Sequence, residues 1–541
     1  MPTEVATTAA EALLARAGDT NTGLVFEGES WTWAEMLAEM SSRAGWLRTF
    51  TAGRPPHVGV LLENVPEFLF TLGATILSGS VLVGLNSTRR GEELAIDIRH
   101  TDCAVIVTDA EHAALLAGLD LGSTRVVDVD DAPTAADPAD PGAVNPSPED
   151  LALLLFTAGS TGAPKAVRVT QGRIARSAIG LAFSSDDIMY CAMPLFHGNA
   201  LFSSVFPAMG TGARLVLRRR FSASEFMADV RSSSATFFAT IGRALSFIVG
   251  TPADPDDNHH HLRFVLAPES SPSDMAIFEE RFGCKVFSGY GSSENAIIFV
   301  PKPGLPADAL GVPLDGLDVA IVDPETGEER EPARFDASGR MVNAAEATGE
   351  IVGRNALGRF EGYYKNPEAT AARSRLGWYW SGDLGYRDEQ GTFFFAGRNI
   401  DWLRVDGENF ASAPVERALN RFEGVTGVAV FGVPDERTVD DQVMAVLELA
   451  EPTRFDPSAF DGFLAAQADL GTKWTPRYVR VMDRLPVGAT NKLDKLALKE
   501  AGWRVDGPVY WRPDRRRPLR LMSEDDARGL EASFGLHRQR R

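Results

Sequence analysis

Leu153-Leu154-Leu155-Phe156-Thr157-Ala158-Gly159-Ser160-Thr161-Gly162-Ala163-Pro164-Lys165-Ala166-Val167 begins as an apolar run and breaks into a loop of hydroxyl residues and glycines closed by Pro-Lys. The apolar part has the length of a buried strand, and the loop has the composition of an anion cradle. Gly159 and Gly162 let backbone N–H groups turn inward with no Cβ in the way, while Ser160, Thr161 and Lys165 add side-chain donors. The loop reads as a triphosphate site. It is not the P-loop NTPase pattern, because Lys165 follows Pro164 and is itself followed by Ala166 rather than Ser or Thr.

Upstream of this stretch, apolar positions recur at helical spacing from Trp31 to about Leu47, and Val58-Gly59-Val60-Leu61-Leu62 reads as a buried strand. A helix from Pro66 to Ser78, a strand over Val81–Leu85, a helix from Arg90 to Thr101 and a strand over Ala104–Asp109 continue the alternation. Buried strands alternating with helices predict a parallel α/β sheet. Residues 131–149, rich in Asp, Pro and Ala, read as a loop between subdomains. Downstream, the spacing from Pro414 to about Asp494 predicts helix, strand, strand, helix, strand, which suits a compact α+β lid.

Composition bounds the partners. The chain has 541 residues, 44% hydrophobic and 24% charged, so two or three domains of a globular enzyme are expected. A formal net charge of −20 argues against nucleic-acid binding, which relies on Lys and Arg neutralising phosphates. No apolar stretch approaches the roughly 20 residues that span a bilayer, and the N-terminus lacks the features of a signal peptide, so no membrane span and a cytoplasmic location are expected. Cys103, Cys191 and Cys284 lie far apart without metal-ligand spacing and read as core residues. The run His259-His260-His261 sits in a turn-rich stretch and reads as an exposed loop.

Further segments follow in a recognisable order: Met193-Pro194-Leu195-Phe196-His197, Tyr290-Gly291-Ser292-Ser293-Glu294, Trp380-Ser381-Gly382-Asp383-Leu384, Gly397-Arg398 through Gly407, and Leu485-Pro486 through Asn491-Lys492. Together with the glycine-rich loop they resemble the adenylate-forming superfamily of acyl-CoA ligases, peptide-synthetase adenylation domains and luciferases. The resemblance covers nearly the whole chain. It implies an α/β fold with a large N-terminal AMP-binding domain (1–397), made of two α/β sheet subdomains and a β-rich one. A hinge (398–402), a small mobile α+β C-terminal lid (403–505) and a basic extension (506–541), read as a solvated tail, follow. Residues 311–323 and 349–368 resemble the β-rich subdomain.

The resemblance also implies roles. Thr157, Gly159, Ser160, Thr161 and Gly162 would bind the nucleotide phosphates together with Lys165. Tyr290 and Gly291 would face adenine, and Ser292 and Ser293 the α-phosphate. Asp383 would accept both ribose hydroxyls, which suits a carboxylate, and Arg398 would contact ribose or phosphate. Glu294 would help hold Mg²⁺, a hard cation that prefers carboxylate and phosphate oxygens. His197 would border the carboxylate and acyl site, and Lys492 would neutralise charge developing between carboxylate and α-phosphate. Ile400 stands at the hinge position, and Gly407 would leave room for the CoA thiol. Residues 235–248 fall where relatives line the acyl pocket, although burial explains their apolar character equally well.

The reaction so implied converts a hydrophobic carboxylic acid, with ATP, Mg²⁺ and CoA, to an acyl-CoA through an acyl-adenylate. Asp383-Leu384, Trp402 through Asn409 and Gly291 through Asn295 look most like actinobacterial long-chain fatty-acyl and steroid-acyl-CoA ligases. Four departures gather around the nucleotide: Ala158, Gln171, Ala267-Pro268-Glu269 and Ile400. They motivate two alternatives. One is a half-enzyme that takes preformed acyl-AMP from a partner adenylating enzyme and performs only the CoA step; the other is a noncatalytic adenylate-binding protein. The acid and the oligomeric state are not readable from the sequence.

Overall fold

The computed structural model describes residues 6–135, 145–157, 165–179, 183–268, 270, 272–300, 302, 304–306, 309–336, 341–398, 402–405, 408–434, 441–452, 455–467, 470, 473–487, 493–505, 507–514 and 517–538. The chain divides into two compact units, residues 1–301 with 357–374, and residues 302–356 with 375–541.

The first unit is built on two sheets. One contains β3 (His57–Leu61), β4 (Val81–Gly84), β5 (Val105–Thr108), β6 (Arg125–Asp128), β7 (Leu151–Phe156) and β8 (Ala166–Thr170), ordered β6-β5-β3-β4-β7-β8. All neighbours are parallel except β7 and β8, which run antiparallel across the glycine-rich loop. Continuous apolar runs suit strands covered on both faces, and every residue of β3, β4 and β5 is buried. The helix Pro66–Ser78 has the bounds expected from its periodicity. Proline at its first turn and Gly79 in the left-handed region at φ 68° set its two ends. Phe68 in this helix is fully buried, a contact whose truncation to alanine costs about 3–5 kcal/mol.

The second sheet contains β1 (Thr22–Phe26), β2 (Glu29–Thr32), β9 (Ile188–Cys191), β10 (Arg214–Leu217), β11 (Phe237–Ala239), β12 (Phe264–Leu266) and β13 (Lys285–Phe287). Its order is β13-β12-β11-β9-β10-β1-β2, parallel apart from the β1–β2 hairpin. Phe237 and Phe238 of β11 are fully buried. Phe237 packs on Phe183 and Phe264, and Phe238 on Tyr190 and Phe226, so core packing accounts for the apolar character of this segment. The three cysteines are buried, and burial pushes each thiol up to about 12.

The second unit holds an antiparallel sheet in the order Ala309–Pro313, Phe393–Arg398, Trp378–Arg387, Gly349–Gly353 and Val319–Val322. It also holds a two-stranded ribbon, Trp402–Val405 with Glu408–Ala411. A five-stranded sheet completes it, ordered Val425–Pro434, Asp441–Leu449, Tyr478–Met482, Val509–Trp511 and Arg520–Leu521.

Two expectations are corrected here. The basic C-terminal segment is not a solvated tail, because it contributes the last two strands of this sheet. Arg512 in it is buried and donates to Asp461 at 2.7 Å, while Arg520 pairs with Asp526 at 2.7 Å. Residues 357–374 belong with the first unit rather than with the β-rich sheet. Their backbone joins the free edge of β8, where Arg168 N donates to Gly362 O at 3.1 Å and Tyr364 N to Ala166 O at 2.8 Å. The division at 398–402 concerns which parts move rather than which parts pack, and it stands as a proposal. Among the described residues, no helix is long and apolar enough to cross a membrane.

Candidate functional site

In the first unit the site is assembled at the ends of strands. β7 leads to Thr157, whose N–H donates to Lys165 O at 3.1 Å, so the chain leaves and re-enters the sheet at one point. Lys165 is half-buried there. Gly159, Ser160, Thr161 and Gly162 lie outside the described residues.

Beside β7 runs the segment ending in His197. Asn64 holds it: the buried side-chain amide donates to Met193 O at 3.0 Å and to Arg218 O at 3.1 Å, and its carbonyl accepts from Leu195 N at 2.9 Å. Left unpaired, the buried Met193 carbonyl and Leu195 N–H would each cost about 1–3 kcal/mol. The segment passes so close to β4 that a Cβ at Gly84 would stand 3.3 Å from the Phe196 backbone. His197 then caps a short helical turn that continues into a π-helix over Leu201–Val205, the kind of local irregularity common at functional sites. A Cβ on Gly198 would lie 3.3 Å from Ser293 Oγ and 3.7 Å from Leu155 Cδ1. Gly198 is therefore the point where β7, the His197 segment and the Ser293 segment come together.

The Tyr290–Asn295 stretch begins three residues after β13. Tyr290 pairs with Phe299 across an isolated bridge and packs on its ring at 5.5 Å. Asn295, at φ 53° in the left-handed region, donates its N–H to Ser292 O at 2.9 Å and turns the chain. Buried Arg173 donates to Ser293 O and to Arg168 O, and its guanidinium lies 4.9 Å from the Phe202 ring centroid.

The turn directs Glu294 inward. It is buried, and Tyr363 Oη donates to its Oε1 at 2.6 Å. Arg373 Nε donates to the same phenol oxygen at 3.3 Å. Burial, with the Glu294 carboxylate, drives the phenol well above the usual tyrosine range, so it is a donor at neutral pH. Among the described residues no group of three His, Cys, Asp or Glu forms a metal cage. One buried carboxylate fits a cation that takes its other oxygens from phosphates, as Mg²⁺ does.

In the second unit, Asp383 sits in the long strand Trp378–Arg387, directly opposite Arg398 across a ladder that bulges at Leu384–Gly385. Gly382 takes φ 74°, which only glycine adopts freely, and its N–H donates to buried Glu350 at 2.7 Å. Ser381 Oγ donates to Ile351 O at 2.7 Å and accepts from Asp383 N at 3.0 Å. The turn carrying Asp383 is thus fixed at three successive residues. Lys492, Ile400 and Gly407 lie outside the described residues.

Two site residues escaped the sequence reading, Asn64 and Tyr363. Gln171 was placed near the nucleotide, but its side chain does other work: it accepts from Ala10 N at 3.2 Å and donates to Ile76 O at 3.2 Å, tying the helices Ala9–Leu14 and Pro66–Ser78 together. Ala267 is a core residue whose N–H donates to Phe287 O at 2.8 Å. The histidine run is a loop, as expected. His259 is exposed against Asp256, and His260 Nε2 lies 2.9 Å from Phe282 O.

The family described as AMP-binding enzyme matches residues 12–364. Steroid-22-oyl-CoA synthetase of Rhodococcus jostii (strain RHA1) is 47% identical over 549 aligned positions, covering 99% of this chain and 98% of that protein. Medium/long-chain-fatty-acid–CoA ligase FadD17 of Mycobacterium tuberculosis is 41% identical, covering 93% and 98% respectively. Among solved structures, ATP-bound MatB from Rhodopseudomonas palustris matches with a TM-score of 0.80 at 23% identity, over 92% of this chain and 98% of that one. That last likeness is one of fold.

Proposed function

The chain belongs to the AMP-binding enzyme family and is an acid–thiol ligase of the acyl-CoA synthetase type, and from that premise we propose how its residues divide the work. Its acid is a steroid side-chain acid or a medium- to long-chain fatty acid, activated through an acyl-adenylate and passed to CoA. The observation that carries the site reading is the meeting of β7, Gly198 and Ser293, which sets the Ser293 hydroxyl near Leu155 of β7, the strand that leads into the segment closed by Lys165.

Carboxylate attack on an α-phosphate concentrates negative charge, so the first step depends on charge stabilisation already in place. Lys165 supplies a cation at the return of the phosphate loop, and Ser293 presents its hydroxyl beside Gly198. Tyr290 offers an aromatic face to adenine. His197 borders the acid, and Lys492 supplies a second cation. Glu294 provides the carboxylate oxygen for Mg²⁺, which when bound neutralises phosphate charge. Asp383 takes the ribose hydroxyls, with Arg398 opposite it. The CoA step then follows a rotation about residues 398–402 that withdraws Lys492 and brings Gly407 toward the acyl-adenylate.

The contacts of Gln171 weaken one motive of the half-enzyme reading, because its side chain is occupied in joining two helices. The deciding experiment offers steroid, fatty and polycyclic acids either with Mg·ATP and CoA or as synthetic acyl-adenylates with CoA. Product from free acid and ATP, lost in Lys492→Ala, is expected. Product from the acyl-adenylates alone, with no ATP–pyrophosphate exchange for any acid, would replace the complete ligase with the half-enzyme.

A further inference from the structure

Tyr363 gives β8 and the Glu294 segment a second link, beside the one that Arg173 makes through Arg168 O and Ser293 O. On one side, its backbone bridges Val167 on β8, two residues beyond Lys165. On the other, its hydroxyl donates to Glu294 Oε1 at 2.6 Å, across 69 residues of sequence. The tyrosine is itself held firmly. Its N–H donates to Thr370 Oγ1 at 3.0 Å, its ring packs edge-on to Phe360 at 5.3 Å, and the next residue, Tyr364, donates its hydroxyl to Asp102 at 2.7 Å. A side chain placed this way has little rotamer freedom left.

The chemistry of the contact has a direction. A phenol oxygen can accept and donate at once. Arg373 Nε donates to it at 3.3 Å, and the phenol's own proton goes to the Glu294 carboxylate, its acceptor among the described residues. A hydrogen bond from a hydroxyl to a carboxylate is short and roughly twice as strong as a neutral one, and 2.6 Å is within that range. It fixes which carboxylate oxygen is engaged and leaves the other for a different partner.

We propose that Tyr363, backed by Arg373, is a positioning residue that orients the Glu294 carboxylate for the nucleotide-bound divalent cation and keeps it in register with the Lys165 end of the phosphate loop. This rests on the reading of Glu294 as a cation ligand. Groups that orient a metal-binding carboxylate typically contribute 10–100-fold in metal affinity or activity. The loop cation and the carboxylate act on one polyphosphate, so holding both from a single residue, one through its backbone and the other through its hydroxyl, sets their spacing before the nucleotide arrives.

The experiment measures Mn²⁺ binding to the full chain by electron paramagnetic resonance, with adenosine 5′-(α,β-methylene)triphosphate present, for wild type, Tyr363→Phe, Arg373→Gln and Glu294→Gln. Circular dichroism and melting are recorded alongside. Tyr363→Phe is expected to weaken Mn²⁺ binding 10–100-fold. It should also raise the Mg²⁺ concentration giving half-maximal ATP–pyrophosphate exchange, with the rate recovering when Mg²⁺ is saturating. Unchanged Mn²⁺ affinity, or a lost rate that no Mg²⁺ concentration restores, overturns the proposal. If Tyr363→Phe does not fold, Arg373→Gln decides in the same terms, with a smaller weakening expected. Unchanged Mn²⁺ binding in Glu294→Gln would instead overturn the reading of Glu294, whatever Tyr363→Phe does.

Discussion

Asp383 illustrates how far a single residue can be read. A carboxylate that follows Ser381-Gly382 is legible as a ribose acceptor from its chemistry and its place among the other motifs. What the structure adds is the reason it stays in place: three consecutive residues of its turn are hydrogen-bonded into the strand. Bonds from neutral donors to a charged acceptor contribute about 1.5–3 kcal/mol, so Asp383→Asn should raise the KM for ATP about tenfold to a hundredfold with little change in melting temperature. An unchanged KM in ATP–pyrophosphate exchange would remove Asp383 from ribose recognition. The roles of Asn64 and Tyr363 were not legible, because their partners are 129 and 69 residues away; Asn64 stands in no motif, and Tyr363 stands in a segment that resembles the β-rich subdomain without pointing to Glu294. Buried Asp97 makes a prediction of another kind. Burial raises its pKa to about 6 even though Arg89 Nη1 lies 3.1 Å away. The folded chain therefore holds this proton more tightly than the unfolded chain, so the stability it contributes is full below about pH 4 and is lost as pH rises through 6. Asp97→Asn removes that slope. Between pH 5 and 7.5 wild type should lose on the order of 1 kcal/mol relative to the variant, measured by urea unfolding at the two pH values.

Secondary-structure elements were legible where their periodicity was long and their ends carried stop signals. The helix Pro66–Ser78 shows this best, with proline at one end and glycine at the other. The basic C-terminal segment was not, because its strands are only three and two residues long and its arginines suggested a solvated surface. In the fold, Arg512 is buried against Asp461 and Trp511 lies in the core, so the charge count concealed a sheet edge. A chain ending at residue 505 should leave Tyr478–Met482 as an uncovered edge and expose Tyr478 and Val479. Limited proteolysis should then cut the 425–505 region at protease levels that leave the full chain intact; equal resistance would mean the last strands add nothing. Gln171 makes the converse case, a polar residue that appeared to belong to the nucleotide site and turns out to join two helices. Gln171→Ala should lower stability by about 2 kcal/mol, through the unpaired Ala10 N–H and Ile76 carbonyl, and leave the KM for ATP unchanged. A changed KM with unaltered melting would return Gln171 to the nucleotide site.

At the scale of the molecule, the alternation of strand and helix was enough to indicate an α/β protein with a separate C-terminal sheet. The assignment of residues 357–374 was not legible, since backbone pairing to a distant strand edge leaves no local pattern. Thr170 donates to Glu361 from N and Oγ1, both at 2.8 Å, across 191 residues. During synthesis that interval has a duration. At about 5–20 residues per second, β8 emerges from the ribosome roughly 10–40 s before the segment that covers its edge. Through that time a strand carrying the return of the phosphate loop stands unpaired on one side, open to the edges of other nascent chains. The half-made protein thus passes through a window in which the sheet is not yet completed by its own chain, and slower elongation downstream of β8 lengthens it.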